Sequence, residues 1–243
     1  MLEGATIVFD LDGTLVDTAP DLTNALNHAL KRHGYGTVAP GLVREAVGRG
    51  APAMIYEALG IESGTDAILR DFLIHYEANI ARLSRPFPGA VALLERLKNR
   101  GAILAVCTNK RVRLANLLLE ALELDSATAP GKGRLEALEL DHHFATIAGR
   151  DTFETSKPHP DHLLGTIAAS GGDPGRAVMV GDSTADIQAA HGAGIPSILV
   201  SFGYSPPPPE GPRATAAIDS FDALEAQAET LLKRLTDGDP TRS

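Results

Sequence analysis

Two carboxylates one residue apart, Asp10 and Asp12, stand where an apolar run at 5–9 gives way to Gly13. The run reads as a buried strand, and the two-residue repeat of a strand turns both acids to the same side. Gly13 then lets the chain turn sharply. Two anionic groups crowded at a strand end repel each other, and a cation or a shared proton has to relieve them. Taken alone, Asp-x-Asp-Gly describes a polar turn about as well as it describes a site. Three later segments shift that balance. Thr108-Asn109-Lys110 ends a second apolar run, Lys157-Pro158 precedes a helix start, and Gly181-Asp182-Ser183-Thr184-Ala185-Asp186 ends a third run.

Asp10, Asp12 and Asp182, with waters, make a hard oxygen site of the kind Mg2+ prefers, usually completed by a substrate phosphate. Thr108 and backbone N–H groups could bond phosphoryl oxygens, and Lys157 offers a fixed positive charge. Phosphoryl transfer asks mainly for positioning and charge stabilisation, which this set supplies. One aspartate could be the nucleophile that carries the phosphoryl group. A second, two residues on, could protonate the leaving group and then activate water. Each residue alone has a plainer reading: Thr108 as a helix cap, Lys157 as a solvated lysine, Asp182 or Asp186 as caps. Their joint order along the chain favours a site. Cys107 reads as a buried core residue, because no histidine is placed beside it in sequence or by motif. His142-His143 and His159-x-x-His162 offer no third ligand for zinc.

The elements that must position these groups alternate. Apolar, β-branched runs fall at 6–10, 102–108, 144–148, 177–181 and 195–200. Between the later ones lie helical patterns: Ala90, Leu93, Leu94 and Leu97 before Gly101; Val112, Ala115, Leu118, Leu119 and Leu122; then Leu163, Leu164 and Ile167 after Pro160. This alternation implies an α/β fold, a doubly wound parallel-sheet core that collects strand ends at one edge. From 18 to 83 the signals are helical only. Thr18-x-x-Asp21 resembles a capping box, Leu22, Leu26 and Leu30 share a face, and Pro40 and Pro52 suit helix starts. Ile68, Phe72, Tyr76, Ile80 and Leu83 mark a longer helix. Such an insert after the first strand is placed as a lid, with hinges at 16–17 and 85–88. The expected division is a core of 1–16 and 86–235, a helical domain of 17–85 and a fraying tail of 236–243. Segments 119–134 and 135–150 read as a tandem duplication on the surface. Pro206 to Pro209 should form an exposed extended turn.

Bulk properties set limits. A net charge of −9 and a pI near 5.3 over 243 residues argue against binding nucleic acid through phosphate neutralisation. One cysteine leaves no internal disulfide and suits a reducing compartment. No signal peptide pattern and no membrane-length apolar run are visible, so a cytoplasmic protein is expected.

Asp10-Leu-Asp-Gly-Thr-Leu-Val-Asp17, Thr108-Asn109, Lys157-Pro158 and Gly181-Asp182-Ser-Thr-Ala-Asp186 together resemble the four signature motifs of the haloacid dehalogenase superfamily, over roughly residues 4–234. The resemblance implies a Rossmann-like core with an α-helical cap inserted after the first strand. It implies Asp10 as nucleophile and Asp12 as general acid/base, with Asp10, Asp12 (through its backbone carbonyl) and Asp182 on Mg2+. Thr108, Asn109 and Lys157 would hold the phosphoryl group, and Asp186 would orient Lys157 or the metal's waters. Asp12 favours phosphatases over true dehalogenases, which lack the second carboxylate. Lys31, the only lysine of the insert, stands poorly for the Schiff base a phosphonate hydrolase would need. Ala46-Val-Gly-Arg-Gly-Ala51, Asp141-His-His-Phe-Ala145, Ala148-Gly-Arg-Asp-Thr152 and Ser156-Lys-Pro-His-Pro160 are most similar to the bacterial phosphoglycolate phosphatases. The implied substrate is a small phosphorylated metabolite, 2-phosphoglycolate, with Arg49 as a bidentate reader of its carboxylate, in a monomer or homodimer. Rival readings are a phosphatase of a sugar phosphate, sugar-acid phosphate or pyrophosphate, a phosphomutase, and a non-catalytic binding protein on the same scaffold.

Overall fold

The computed structural model describes residues 1–61, 63–126, 143–204 and 211–237. Six parallel strands form one sheet: β1 (Thr6–Phe9), β4 (Ile103–Cys107), β5 (Thr146–Ala148), β6 (Ala177–Gly181), β7 (Ser197–Val200) and β8 (Ala216–Ile218), in the order β5-β4-β1-β6-β7-β8. The strand order runs outward from β1 on one side and then resumes beside β1 on the other, so β1 lies at the switch point. Its register places Phe9 between Val106 and Val180, which brings the residues after all three strands to one edge.

Strand side chains divide by parity. Ile7, Phe9, Leu104, Val106, Val178 and Val180 enter one core cluster. Val8, Ala105, Cys107, Ala177 and Met179 enter the other, against Leu163 and Ile167 of α7 (Pro160–Ala169) and Ala189 and Ala190 of α8 (Thr184–Ala193). Both faces are therefore covered, which is why these strands read as unbroken apolar runs. Each large aliphatic so buried contributes roughly 1.5–3 kcal/mol. The larger cluster is closed by α5 (Ala90–Asn99), α6 (Val112–Ser126) and α9 (Leu224–Asp237).

Between β1 and β4 the chain leaves and re-enters through a two-stranded antiparallel ribbon, β2 (Val16–Asp17) and β3 (Arg85–Pro86). The helical insert between them holds α1 (Ala19–Arg32), α2 (Pro40–Ala46), α3 (Ala51–Leu59) and α4 (Asp66–Ala78). Pro40 and Pro160 occupy first helical positions, and Pro52 lies in the first turn of α3.

Several expectations are corrected. Thr18-x-x-Asp21 is no capping box: the Thr18 hydroxyl donates to Asp12 Oδ1 at 2.6 Å. Asp21 accepts from the Leu83 and Ser84 N–H groups and the Ser84 hydroxyl, each at 2.8 Å. Tertiary donors and acceptors thus win over local capping, and Asp21 closes the insert at its far end. Helix α4 stops at Ala78, short of Ile80 and Leu83; Leu83 is 49% exposed and adds nothing to the buried face. Strand β8 is two alanines and one isoleucine, buried only at Ile218, so it lacks the β-branched apolar run that marks the other strands. Helix α9 continues to Asp237, beyond the expected start of the fraying tail. The middle of the duplicated segment, 127–142, and Pro206 to Pro209 lie outside the described residues. No described helix is long and apolar enough to cross a membrane.

Candidate active site

Asp10 follows β1, Thr108 follows β4, and Asp182 follows β6, so parallel register alone gathers them. Asp10, Asp182 and Asp186 place ligand-capable oxygens within 4.8 Å of one another. All three are buried, as is Lys157. The Lys157 ammonium lies 2.6 Å from Asp186 Oδ1 and 2.8 Å from Asp10 Oδ1, the latter an ion-pair contact off the line of a hydrogen bond. Burial alone would lower the lysine's pKa; the Asp10 and Asp186 carboxylates more than reverse this and hold it well up.

The three acids differ in what remains free. Asp186 is committed, because its other oxygen takes the Ser183 N–H at 3.0 Å and the Ser183 hydroxyl at 2.6 Å. Asp182 accepts the Tyr204 N–H at 2.7 Å and the Thr14 hydroxyl at 3.3 Å. Gly13, at φ +86°, lies so close that a Cβ there would come 2.5 Å from Asp182 Oδ2. That approach, more than the turn, requires glycine. Burial pushes Asp10 up to about 6 against the pull of Lys157, while burial and then the Asp10 and Asp186 charges push Asp182 up to about 8. Asp10 and Asp182 are thus two repelling carboxylates with hard oxygen donors, a pair that a divalent cation would relieve. The donor set fits Mg2+, with Asp186 bound up in holding Lys157.

Asp12 stands apart from this group. Both its oxygens are taken by the Lys110 ammonium, at 2.7 and 2.9 Å, and Oδ1 also by Thr18. Its side chain is therefore not among the clustered acids. Lys110 in turn lies 4.9 Å from the ring centroid of Tyr76 on α4, a cation–π contact between core and insert. Lys110 was legible in the sequence as the residue after Thr108-Asn109, but nothing local distinguishes it from a surface lysine. Its partner lies 98 positions away.

Thr108 is buried, and its hydroxyl accepts the Lys110 N–H at 3.2 Å; that contact uses a lone pair and leaves the O–H to donate. Asn109 is placed differently from its expected role. Its Nδ2 donates at 2.9 Å to Gly48 O of the insert and at 2.9 Å to Lys157 O, so no amine proton is left for a phosphate. Arg49 is not brought to the cluster at all: its side chain is 59% exposed and pairs with Glu57 at 3.0 Å. His162 emerges instead. Its Nδ1 accepts the Lys157 N–H at 3.1 Å, which leaves Nε2 to donate to Gly149 O at 3.1 Å. Burial, then the Lys157 charge, lower His162 to about 4, so it stays neutral and ties two loops together. Cys107 is buried and pushed up to about 11 by that burial, which leaves it a thiol.

Beside Asp12 a cavity of about 60 Å³ opens between core and insert. Leu22, Val47, Met54, Phe72 and Leu114 contribute apolar walls, and Asn109, Lys110, Arg111 and Arg150 contribute the core's polar side.

Buried carboxylates in contact with a buried lysine, at the carboxyl edge of a doubly wound sheet and under a helical insert, define a hydrolase-type phosphoryl site. A profile described as haloacid dehalogenase-like hydrolase matches residues 5–194. The chain belongs to that family, and it is an enzyme of the phosphatase kind. It is 43% identical to a phosphoglycolate phosphatase of Mesorhizobium japonicum over 93% of this chain and 96% of the relative. It is 42% identical to one of Caulobacter vibrioides, over 95% and 93%. Among solved structures, a predicted phosphoglycolate phosphatase from Haemophilus somnus superposes with a TM-score of 0.76 at 29% identity, covering 93% of this chain and 98% of that one.

Proposed function

We propose that this enzyme hydrolyses 2-phosphoglycolate to glycolate and phosphate, through a phosphoryl group carried on Asp10. The observation that carries the reading is the buried lysine shared by Asp10 and Asp186 beside Asp182. It supports Asp10 as a nucleophile beside a fixed cation, with Asp182 as its companion in holding a metal. Asp10 and Asp182 would hold Mg2+, which when bound neutralises charge on the phosphoryl oxygens and on the two acids.

In the first step an Asp10 oxygen bonds to phosphorus while the bond to the ester oxygen breaks, and the departing oxygen takes the proton that Asp12 has kept from the water of the preceding turnover. In the second, Asp12 takes a proton from water as that water attacks phosphorus, and Asp10 leaves as a carboxylate. Lys157 and the Thr108 O–H hold the transferring oxygens. Lys110 and Thr18 would position the Asp12 carboxyl group through the hydrogen bonds they donate to it. The helical insert serves as a cap over this chemistry. Its cavity beside Asp12 has apolar walls and a polar side on the core, which suits a small leaving group carrying a polar end. Names of relatives that align over nearly the whole chain support the same substrate.

The test is a panel of 2-phosphoglycolate, hexose phosphates and pyrophosphate with purified enzyme and Mg2+. The highest kcat/KM on 2-phosphoglycolate supports the assignment, and a better hexose phosphate or pyrophosphate would sink it. Acid-quenched turnover should trap a phosphoryl group on Asp10 and none in Asp10→Asn.

A further inference from the structure

A substrate with a carboxylate beyond its ester oxygen needs a cation in the cavity, and the cations there are not equally free. Lys110 is occupied by Asp12, and the Asn109 amine by two carbonyls. Arg49 faces away and is paired with Glu57. Arg111 and Arg150 line the cavity, and no carboxylate partner holds either guanidinium among the described residues.

Arg150 is the better placed of the two. Its N–H donates to Lys110 O at 2.9 Å, so its backbone is tied to the residue that holds Asp12. Gly149 before it packs so tightly that a Cβ would come 2.2 Å from the Val112 nitrogen, which presses this turn onto the loop after β4. The guanidinium then reaches across to the insert: a Cβ at Gly50 would lie 3.0 Å from Arg150 Nη1. Gly50 has φ +88°, a conformation other residues rarely adopt, so the insert loop leaves room for the arginine there. Anchored on the core and lying against the insert, Arg150 spans the seam through which a leaving group would project.

We infer that Arg150 is the specificity-determining residue of this site, its guanidinium taking the carboxylate of the leaving group in a bidentate pair while the phosphoryl group lies at Asp10. This rests on the substrate reading above. The fork of an arginine matches a carboxylate geometrically, which an exposed but loop-anchored guanidinium can still offer. A substrate held this way touches both core and insert, so binding itself favours the closed arrangement.

The test compares kcat/KM for 2-phosphoglycolate and ethyl phosphate, which differ in the carboxylate, in wild type, Arg150→Met, Arg150→Lys and Arg49→Ala. Arg150→Met should cut the preference for 2-phosphoglycolate at least about tenfold, mostly through KM. Arg150→Lys should restore part of it, because it returns the charge without the fork. Circular dichroism checks that each variant is folded, which the surface position of Arg150 favours. A wild-type preference that survives Arg150→Met, or that falls further in Arg49→Ala, overturns the assignment of Arg150 and leaves the substrate reading standing. A wild type indifferent to the carboxylate overturns the substrate reading, and the carboxylate role of Arg150 with it.

Discussion

The carboxyl edge of the sheet and the cavity under the insert lie next to each other yet are built on opposite principles. At the sheet edge nearly every group is charged, buried and committed: Lys157 to two aspartates, Asp186 to lysine and serine, Asp12 to Lys110. Removing any partner there strands a buried charge. The cavity is mostly apolar, its cations stand on the core side, and those not needed by Asp12 have no carboxylate partner among the described residues. The first arrangement fixes a reaction and tolerates little change. The second fixes a shape and a few contacts, which is how substrate choice can vary over constant chemistry.

That contrast can be broken experimentally, and the largest effect should come from Asp10. Asp10→Asn should lower kcat by at least about 10⁴-fold on every substrate, while the protein still folds because Asp186 keeps its own pairing with Lys157. Turnover within tenfold of wild type would remove Asp10 as nucleophile. Lys110→Met should follow, with a kcat loss of roughly 10²-fold or more on alkyl phosphates and a smaller loss on p-nitrophenyl phosphate. The latter's leaving group needs little protonation, so positioning of Asp12 matters less. Equal losses on both would mean that Lys110 only holds the fold together.

His162→Ala sharpens the same comparison from behind the site. It leaves the Lys157 N–H and the Gly149 carbonyl unpaired and opens a cavity, so chemical denaturation should show a loss of about 2–4 kcal/mol. An unchanged midpoint would contradict the two bonds assigned to its ring.

Metal removal tests the acids as a pair. Both Asp10 and Asp182 hold protons in the folded state more tightly than their ordinary carboxylate value, up to about 6 and about 8. Raised carboxylates favour the folded state while protonated, so without metal their contribution falls as pH rises from about 4 to 8. Mg2+ competes with those protons. The rise in Tm on replacing EDTA with Mg2+ should therefore grow between pH 5 and pH 8, and a pH-independent difference would argue against these two acids as its ligands. Comparing the two conditions at each pH cancels His162, whose lowered value acts in the opposite direction. The smallest effect is expected at the seam: Gly50→Ala should raise KM for 2-phosphoglycolate severalfold through strain at φ +88° and pressure on Arg150.

Asp10, Asp12, Thr108, Lys157, Asp182 and Asp186 could be read from the chain because each lies at a local signal, a strand end or a helix start. The parallel sheet follows from the same apolar runs, since covering on both faces leaves no alternation to hide them. Arg49 and Asn109 show where local reading stops. An arginine in a glycine loop carries no mark of the direction it faces, and its pairing with Glu57 is a property of the folded helix α3. Asn109 looks like a donor for phosphate until Gly48 O and Lys157 O arrive from positions 61 and 48 residues away.

By itself the sequence determined the class of fold, the chain positions of five of the six sheet strands and the residue types that follow them, because these depend on periodicity and short-range turn chemistry. Only the tertiary structure decided which charge pairs with which. It joined Lys110 to Asp12, His162 to the Lys157 loop, Thr18 and Asp21 to partners outside their helix, and Arg150 to the insert at Gly50. The reason is physical: a buried ionic group takes the nearest partner in space, and nearness across a sheet edge is set by register and packing, which no local stretch of chain contains.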